Sequence, residues 1–221
     1  MKEIAGRFEK QTGNKVKLVF GSSGNFFAQL QNGAPFDVFL SADVEYPKKL
    51  ESEGLTEPGS LYEYARGKIV LWVPGNSQID VNKGLRAVAD PRVRRLAVAN
   101  PAHAPYGRAA EAALKNSGVW QEVSNKLVLG ENISQTAQFA NSGNADAAIL
   151  ALSLVLGPAM KDKGKYFLVP QEMYPPLQQA AVIVKTSEHK SLASQFIQFL
   201  KLPETRSLFA QYGFQEPEKA R

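Results

Sequence analysis

The residues with most to offer chemically lie in K-L-V-F-G-S-S-G-N-F-F-A-Q, residues 17–29. Val16, Leu18 and Phe20 alternate as in a strand, Gly21-Ser22-Ser23-Gly24 is a small-residue loop, and a helix opens at Asn25. Such a turn presents backbone N–H groups and two hydroxyls at the positive end of a helix, which is the chemistry of an anion site. Ser and Asn are also ordinary helix N-caps, so this turn alone reads as an unliganded βα connection before it reads as an anion site.

Two further loops share the design. Ala104–Gly107 and Asn132–Ser134 each stand between a strand and a helix and are built of small or polar residues. In a parallel sheet such loops gather at the carboxyl ends of the strands and can converge on one point. Ser23, with Ser22 as the alternate, adds a hydroxyl donor, and several neutral donors suffice to hold a dehydrated oxyanion. The only acidic residue in the three loops is Glu131, read as a cap of the following helix. A fully deprotonated dianion needs donors alone, whereas a protonated phosphate also needs an acceptor, so the set leans away from phosphate.

Other chemistries are poorly supplied. His103 and His189 are the only histidines, and His103 reads as a surface loop residue before it reads as a base. There is no G-x-S-x-G elbow, because G-S-S-G has the wrong frame. A G-x-x-x-x-G-K-[ST] loop is also absent, and so are paired His or clustered acidic metal ligands. Asp37 and Asp43 read as strand-end and cap residues rather than an acid/base pair. With no cysteine, disulfides and thiolate chemistry are excluded. The net charge of +5 comes without a basic block, and Arg92, Arg94 and Arg95 read as a solvated rim, which argues against nucleic acid. No apolar run approaches the roughly 18 residues of a membrane helix.

The elements that must position the loops follow from periodicity. Met1, Ile4, Ala5 and Phe8 mark one helix face, stopped by Gly13-Asn14. Asp37–Leu40 reads as a short buried strand before a helix around 44–53. Lys68–Val73, Leu96–Ala99, Leu127–Leu129, Asp146–Leu150, Tyr166–Val169 and Ala180–Val184 read as strands, and Leu192–Leu200 and 204–212 as closing helices. The alternation implies an α/β protein. The long apolar strands Lys68–Val73 and Ala180–Val184 flank a self-contained βα block, the pattern of a second domain inserted into a first with two crossings.

Five segments, taken in order and spacing, carry a family resemblance: F-G-S-S-G-N-F-F-A-Q-L-Q-N-G-A-P-F-D-V-F-L-S-A-D (20–43), A-N-P-A-H-A-P-Y-G-R-A-A (99–110), G-E-N-I-S-Q-T (130–136), A-A-I-L-A-L-S (147–153) and Q-Y-G-F (211–214). Together they resemble the molybdate-binding proteins of bacterial ABC importers across nearly the whole chain. The resemblance implies a two-lobed, type II periplasmic-binding-protein fold. Its two parallel-dominated sheets would carry helices on both faces, with two hinge crossings. Lobe I would be 1–74 plus 178–221 and lobe II the inserted 75–177. The implied hinges lie near Val73–Asn76 and Pro176–Ala180, with Trp72 beside the first as a fluorescent reporter.

The resemblance also implies a function: a monomeric, periplasmic binding protein, not an enzyme, that takes molybdate or tungstate in the interlobe cleft. It would hand the anion to membrane permease subunits, with no cofactor and no metal beyond the molybdenum of the oxyanion. Carried over by position, Ser23 gives hydroxyl and N–H, Tyr106 a backbone N–H, Ile133 a backbone N–H at a helix start, and Ser22 is the alternate hydroxyl. Ala151 falls where some members place an anion-binding Tyr. Family members have a first strand and a Ser- or Asn-bearing loop before the helix that begins here at Met1. Neither these nor a signal peptide is in the chain, so the expectation is a site short of one wall. A different oxyanion such as sulfate, or a small α/β enzyme acting on an anion, are the alternatives.

Overall fold

The apolar stripe at the start of the chain forms α1 (Lys2–Thr12), which buries Ile4, Ala5 and Phe8. Gly13 ends it in the left-handed conformation at φ 75°, with its N–H on the Glu9 carbonyl. The computed structural model describes residues 1–217, so the last four residues of the expected first lobe, 218–221, lie outside the described residues. After α1 come α2 (Ser23–Gln31), β1 (Val38–Ser41), α3 (Glu45–Ser52), β2 (Tyr62–Gly67), β3 (Ile69–Pro74), β4 (Leu96–Ala99) and α4 (Pro105–Asn116). The order continues with α5 (Trp120–Val123), β5 (Leu127–Gly130), α6 (Ile133–Asn141), β6 (Ala147–Ala151), α7 (Leu152–Val155), β7 (Gly164–Leu168), β8 (Leu177–Ile183), α8 (Lys190–Lys201) and α9 (Pro203–Gln211). Short 3-10 turns occupy Val81–Ala89, Ser124–Lys126 and Gln171–Met173.

The chain divides into two compact units. The first comprises Met1–Arg66, Gln178–Gln211 and the residues from Gln215; the second comprises Gly67–Leu177 and Tyr212–Phe214. This displaces the expected break after Pro74, because β3 pairs along its length with β6 and β7 of the second unit. The simple two-crossing scheme is also extended, since the chain returns to the second unit for Tyr212–Phe214.

In the first unit the sheet order is β1-β8-β2, and β1 runs antiparallel to β8. Leu30, Phe39, Leu50, Val182 and Val184 form its core with Phe26, Phe27 and Phe36. Phe8 of α1 meets Phe196 and Phe199 of α8 edge-to-face at 5.2 and 5.4 Å, a geometry that suits the ring quadrupoles. The expected strand at 16–20 is absent. The segment is neither helix nor strand and joins no ladder, and Val19 and Phe20 are exposed by about half. Alternation of side chains cannot make a strand without a partner to take its backbone groups.

In the second unit the order is β5-β4-β6-β3-β7. β5, β4 and β6 are mutually parallel, while β3 runs antiparallel to both β6 and β7. Because β7 is antiparallel to β3, it points the same way as β5, β4 and β6. Four of the five strands thus share one direction and β3 alone runs against the βα repeat, a sheet dominated by parallel strands as expected. Trp72 is buried in the core of this unit with Ala140 and Met160. At the surface, Arg92 forms a bidentate pair with Asp90 at 2.8 and 2.6 Å.

Candidate functional site

Each unit carries its own cluster of donors. In the first unit, Ser22 is the N-cap of α2, and its Oγ accepts the Asn25 N–H at 3.3 Å. The helix thus starts two residues before the expected Asn25, and the Ser22 oxygen is engaged as a cap. Ser23 is the first helical residue and is buried. Its Oγ accepts the Ala42 N–H at 3.0 Å. A hydroxyl has one hydrogen and two lone pairs, so that bond fills one acceptor direction and leaves the Ser23 hydrogen to turn elsewhere. Helix α2 has no acidic residue in its first turn, which keeps its N-terminal field positive.

The loop that supplies Ala42 is itself fastened. Ser41 Oγ donates to Asp43 Oδ1 at 3.1 Å and accepts the Asp43 N–H at 3.3 Å. The same Asp43 oxygen accepts the Tyr46 N–H at 3.2 Å, which satisfies a first-turn amide of α3. Asp43 therefore does cap a helix, as expected, but it also locks the Ser41–Asp43 turn. Asp37, the other carboxylate considered for acid/base work, accepts the Ser187 hydroxyl at 2.6 Å.

In the second unit the parallel run β5-β4-β6 brings three strand-to-helix junctions to one sheet edge. The Asn100 N–H donates to the Gly130 carbonyl at 2.8 Å and ties the β4 and β5 loops together. Tyr106 and Ile133 thus share an edge with the Ala151–Leu152 junction. Tyr106 is buried at the second position of α4, after Pro105, which has no N–H, and before Gly107, whose N–H returns to the Ala104 carbonyl at 2.9 Å. Ala151 is the N-cap of α7 and brings no side-chain donor; the next amide, Leu152 N–H, is taken by the Lys68 carbonyl at 2.9 Å.

At α6 the capping is reciprocal. Asn132 Oδ1 accepts the Ser134 and Gln135 N–H groups, both at 3.0 Å, and Gln135 Oε1 accepts the Glu131 N–H at 2.7 Å. Asn132, not Glu131, is the cap. Glu131 points its carboxylate towards His103 Nε2 at 4.0 Å. With its neighbours engaged, the Ile133 N–H is left at the helix start with no hydrogen-bond partner among the described residues. Neither α4 nor α6 has an acidic residue in its first turn.

Two glycines set how closely these helices approach the sheet. A Cβ at Gly107 would collide with the Ala99 carbonyl oxygen, and one at Gly130 would lie 2.5 Å from Thr136 Oγ1 and 2.8 Å from its nitrogen. Any side chain at either position would push a helix start, and the amides on it, away from the strand ends.

The structure thus brings Ser22 with Ser23 in one unit and Tyr106 with Ile133 in the other. The residues that sequence reasoning missed are Ser41, Ala42 and Asp43 as supports of Ser23, and Asn132 with Gln135 as the double cap of α6. The S-A-D and N-x-x-Q patterns at these helix starts carried the signal. Among the described residues no cluster of three or more His, Asp or Glu could hold a metal ion. Nor is any helix long and apolar enough to cross a membrane.

Comparison with known proteins agrees with this architecture. The family model described as bacterial extracellular solute-binding protein matches residues 1–215. The chain is 42% identical to the molybdate-binding protein ModA of Rhodobacter capsulatus, over 96% of this chain and 82% of that one. It is 40% identical to the ModA of Azotobacter vinelandii, over 97% and 84%. The solved structure of the Azotobacter vinelandii periplasmic molybdate-binding protein superposes with a TM-score of 0.92 at 35% identity, covering 98% of this chain and 94% of that one. A substrate-binding domain of a molybdenum ABC transporter from Clostridium difficile gives 0.72 at 25% identity, over 99% and 93%.

Proposed function

The chain belongs to the bacterial extracellular solute-binding proteins, and from that premise we propose that it binds a tetrahedral oxyanion, molybdate or tungstate, for an ABC importer. The donors are Ser23, with hydroxyl and N–H, and Ser22 in the first unit, and the backbone amides of Tyr106 and Ile133 in the second. The observation that carries the reading is the character of these groups. They sit at helix starts with no acid in the first turn, and the Ser23 oxygen already accepts from Ala42. Groups of this kind stabilise an oxygen that carries charge and no proton. Molybdate and tungstate are dianions of that kind at neutral pH, and molybdate is the ligand named for the relatives. Acting as a binding protein rather than an enzyme, the chain works as a monomer in the periplasm and delivers the anion to membrane permease subunits. It needs no further cofactor.

Calorimetric titration of this chain with molybdate, tungstate, sulfate and phosphate tests the reading. Saturable binding of molybdate and tungstate, weaker binding of sulfate and none of phosphate is the expected order. Tighter binding of sulfate, or no heat with molybdate, overturns it.

A further inference from the structure

Ser23 is held from behind. Its Oγ receives the Ala42 N–H at 3.0 Å, and the two residues that flank Ala42 are closed on each other by a pair of hydrogen bonds between Ser41 and Asp43. All three side chains, Ser23, Ser41 and Asp43, are buried, and Ser41 has no exposed surface at all. Buried hydroxyls and carboxylates cost free energy unless they are satisfied, and here they satisfy one another in a fixed order. Asp43 Oδ1 takes the Ser41 hydrogen, Ser41 Oγ takes the Asp43 amide, and the peptide between them is left with one orientation. That orientation aims the Ala42 N–H at Ser23.

We propose that Ser41 and Asp43 are positioning residues which, through the Ala42 amide, orient the Ser23 hydroxyl so that its hydrogen is directed to the bound oxyanion. The inference rests on the oxyanion reading given above. Neither residue touches the ligand in this scheme; both act through Ser23 alone. Without the Ser41–Asp43 lock the Ala42 peptide is free to rotate, the Ser23 hydroxyl loses its fixed acceptor bond, and the anion must order the hydroxyl on arrival. Ordering on arrival weakens binding, whereas prior ordering does not.

Dependence on Ser23 separates this role from a merely structural one. Ser41→Ala, a small change at a buried site, is measured for molybdate affinity in the native background and in Ser23→Ala. The expected result is a loss of roughly threefold to tenfold in the native background and no change when Ser23 is already Ala, a coupling within the range for neighbouring residues. Equal losses in both backgrounds, or no loss in either, overturn the proposal. Where Ser41→Ala does not fold, Asp43→Ala takes its place in the same cycle.

Amide hydrogen exchange of the ligand-free protein gives a second reading that needs no affinity. Ala42 should exchange at least about tenfold faster in Ser41→Ala while amides of the central strand β8 keep their protection. An unchanged Ala42 rate overturns the proposal. Failure of the unsubstituted chain to bind molybdate strikes the oxyanion reading instead, and the exchange result still stands or falls on its own.

Discussion

Asn132 Oδ1 accepts the amides of both Ser134 and Gln135 at 3.0 Å, while the preceding Ile133 N–H, the proposed donor to the anion, has no hydrogen-bond partner among the described residues. Asn132→Ala should lower stability by about 1 kcal/mol, the ordinary value of an N-cap. Asn132→Asp should keep the cap and the melting temperature. It places a negative charge beside the Ile133 amide, so molybdate affinity should fall about tenfold or more. Thermal denaturation and calorimetry on the two variants separate cap from charge. If Asp binds as well as Asn, the Ile133 amide is not a donor to the anion.

The two adjacent serines should differ in kind. Ser23→Ala removes a donor to a charged acceptor and should weaken molybdate binding by about 1–3 kcal/mol. Ser22→Ala removes the cap of α2, where Ser22 Oγ holds the Asn25 N–H. It should cost about 1 kcal/mol of stability with a smaller change in affinity. Titration and melting of both variants check this, and the reverse pattern would exchange their roles.

Gly107→Ala and Gly130→Ala should each destabilise the protein by about 1–3 kcal/mol, because the added methyl meets backbone at both positions and, at Gly130, also the Thr136 hydroxyl that is held on the Asn132 carbonyl. Both should also lose affinity as a helix start is displaced. Gly6→Ala is the contrasting case. It lies within α1 with open space around it, and it should stabilise by up to about 1 kcal/mol. Chemical denaturation of the three variants measures the difference.

Asp90 supplies a pH test. The Arg92 side chain, hydrogen-bonded to it, holds its carboxyl well below the usual carboxylate range. A group whose pKa is lower folded than unfolded stabilises the protein above its unfolded value, near 3.9, and that contribution fades as pH falls towards the folded value. Asp90→Asn should therefore melt below the unsubstituted protein by a constant interval above about pH 5, and the interval should shrink below about pH 4. An interval that does not change with pH would mean that the pairing is not ionic.

The βα turns that carry the proposed donors were legible in the chain because they sit where local rules apply. Small residues between an apolar strand and a helix mark a βα turn, and Ser23, Tyr106 and Ile133 all lie at such turns. What was not legible depends on partners distant in the chain. Val16, Leu18 and Phe20 alternate like a strand, yet strand formation is decided by a neighbour that alternation does not name. β2, with Tyr62, Tyr64 and Arg66, was overlooked for the opposite reason: its polar residues hide a strand that is defined by its place beside β8 in the sheet. Ile69–Pro74 reads as a strand from its composition, but only its ladders with β6 and β7 assign it to the second unit. The support of Ser23 by Ala42 spans 19 positions and is carried by a backbone amide, which no residue type announces.

The order β1-β8-β2 has a consequence for biosynthesis. The middle strand of the first unit's sheet is made last of the three, after the whole 67–177 stretch of the second unit has been translated. The second unit has nearly all its chain available early and can fold on emergence, whereas β1 and β2 must wait with no strand between them. During that wait Phe26, Phe27, Phe36 and Phe39 have no β8 to cover them. The nascent first half is thus the stage of this protein's life most exposed to aggregation and most in need of a chaperone, and arrival of Leu177–Ile183 ends it.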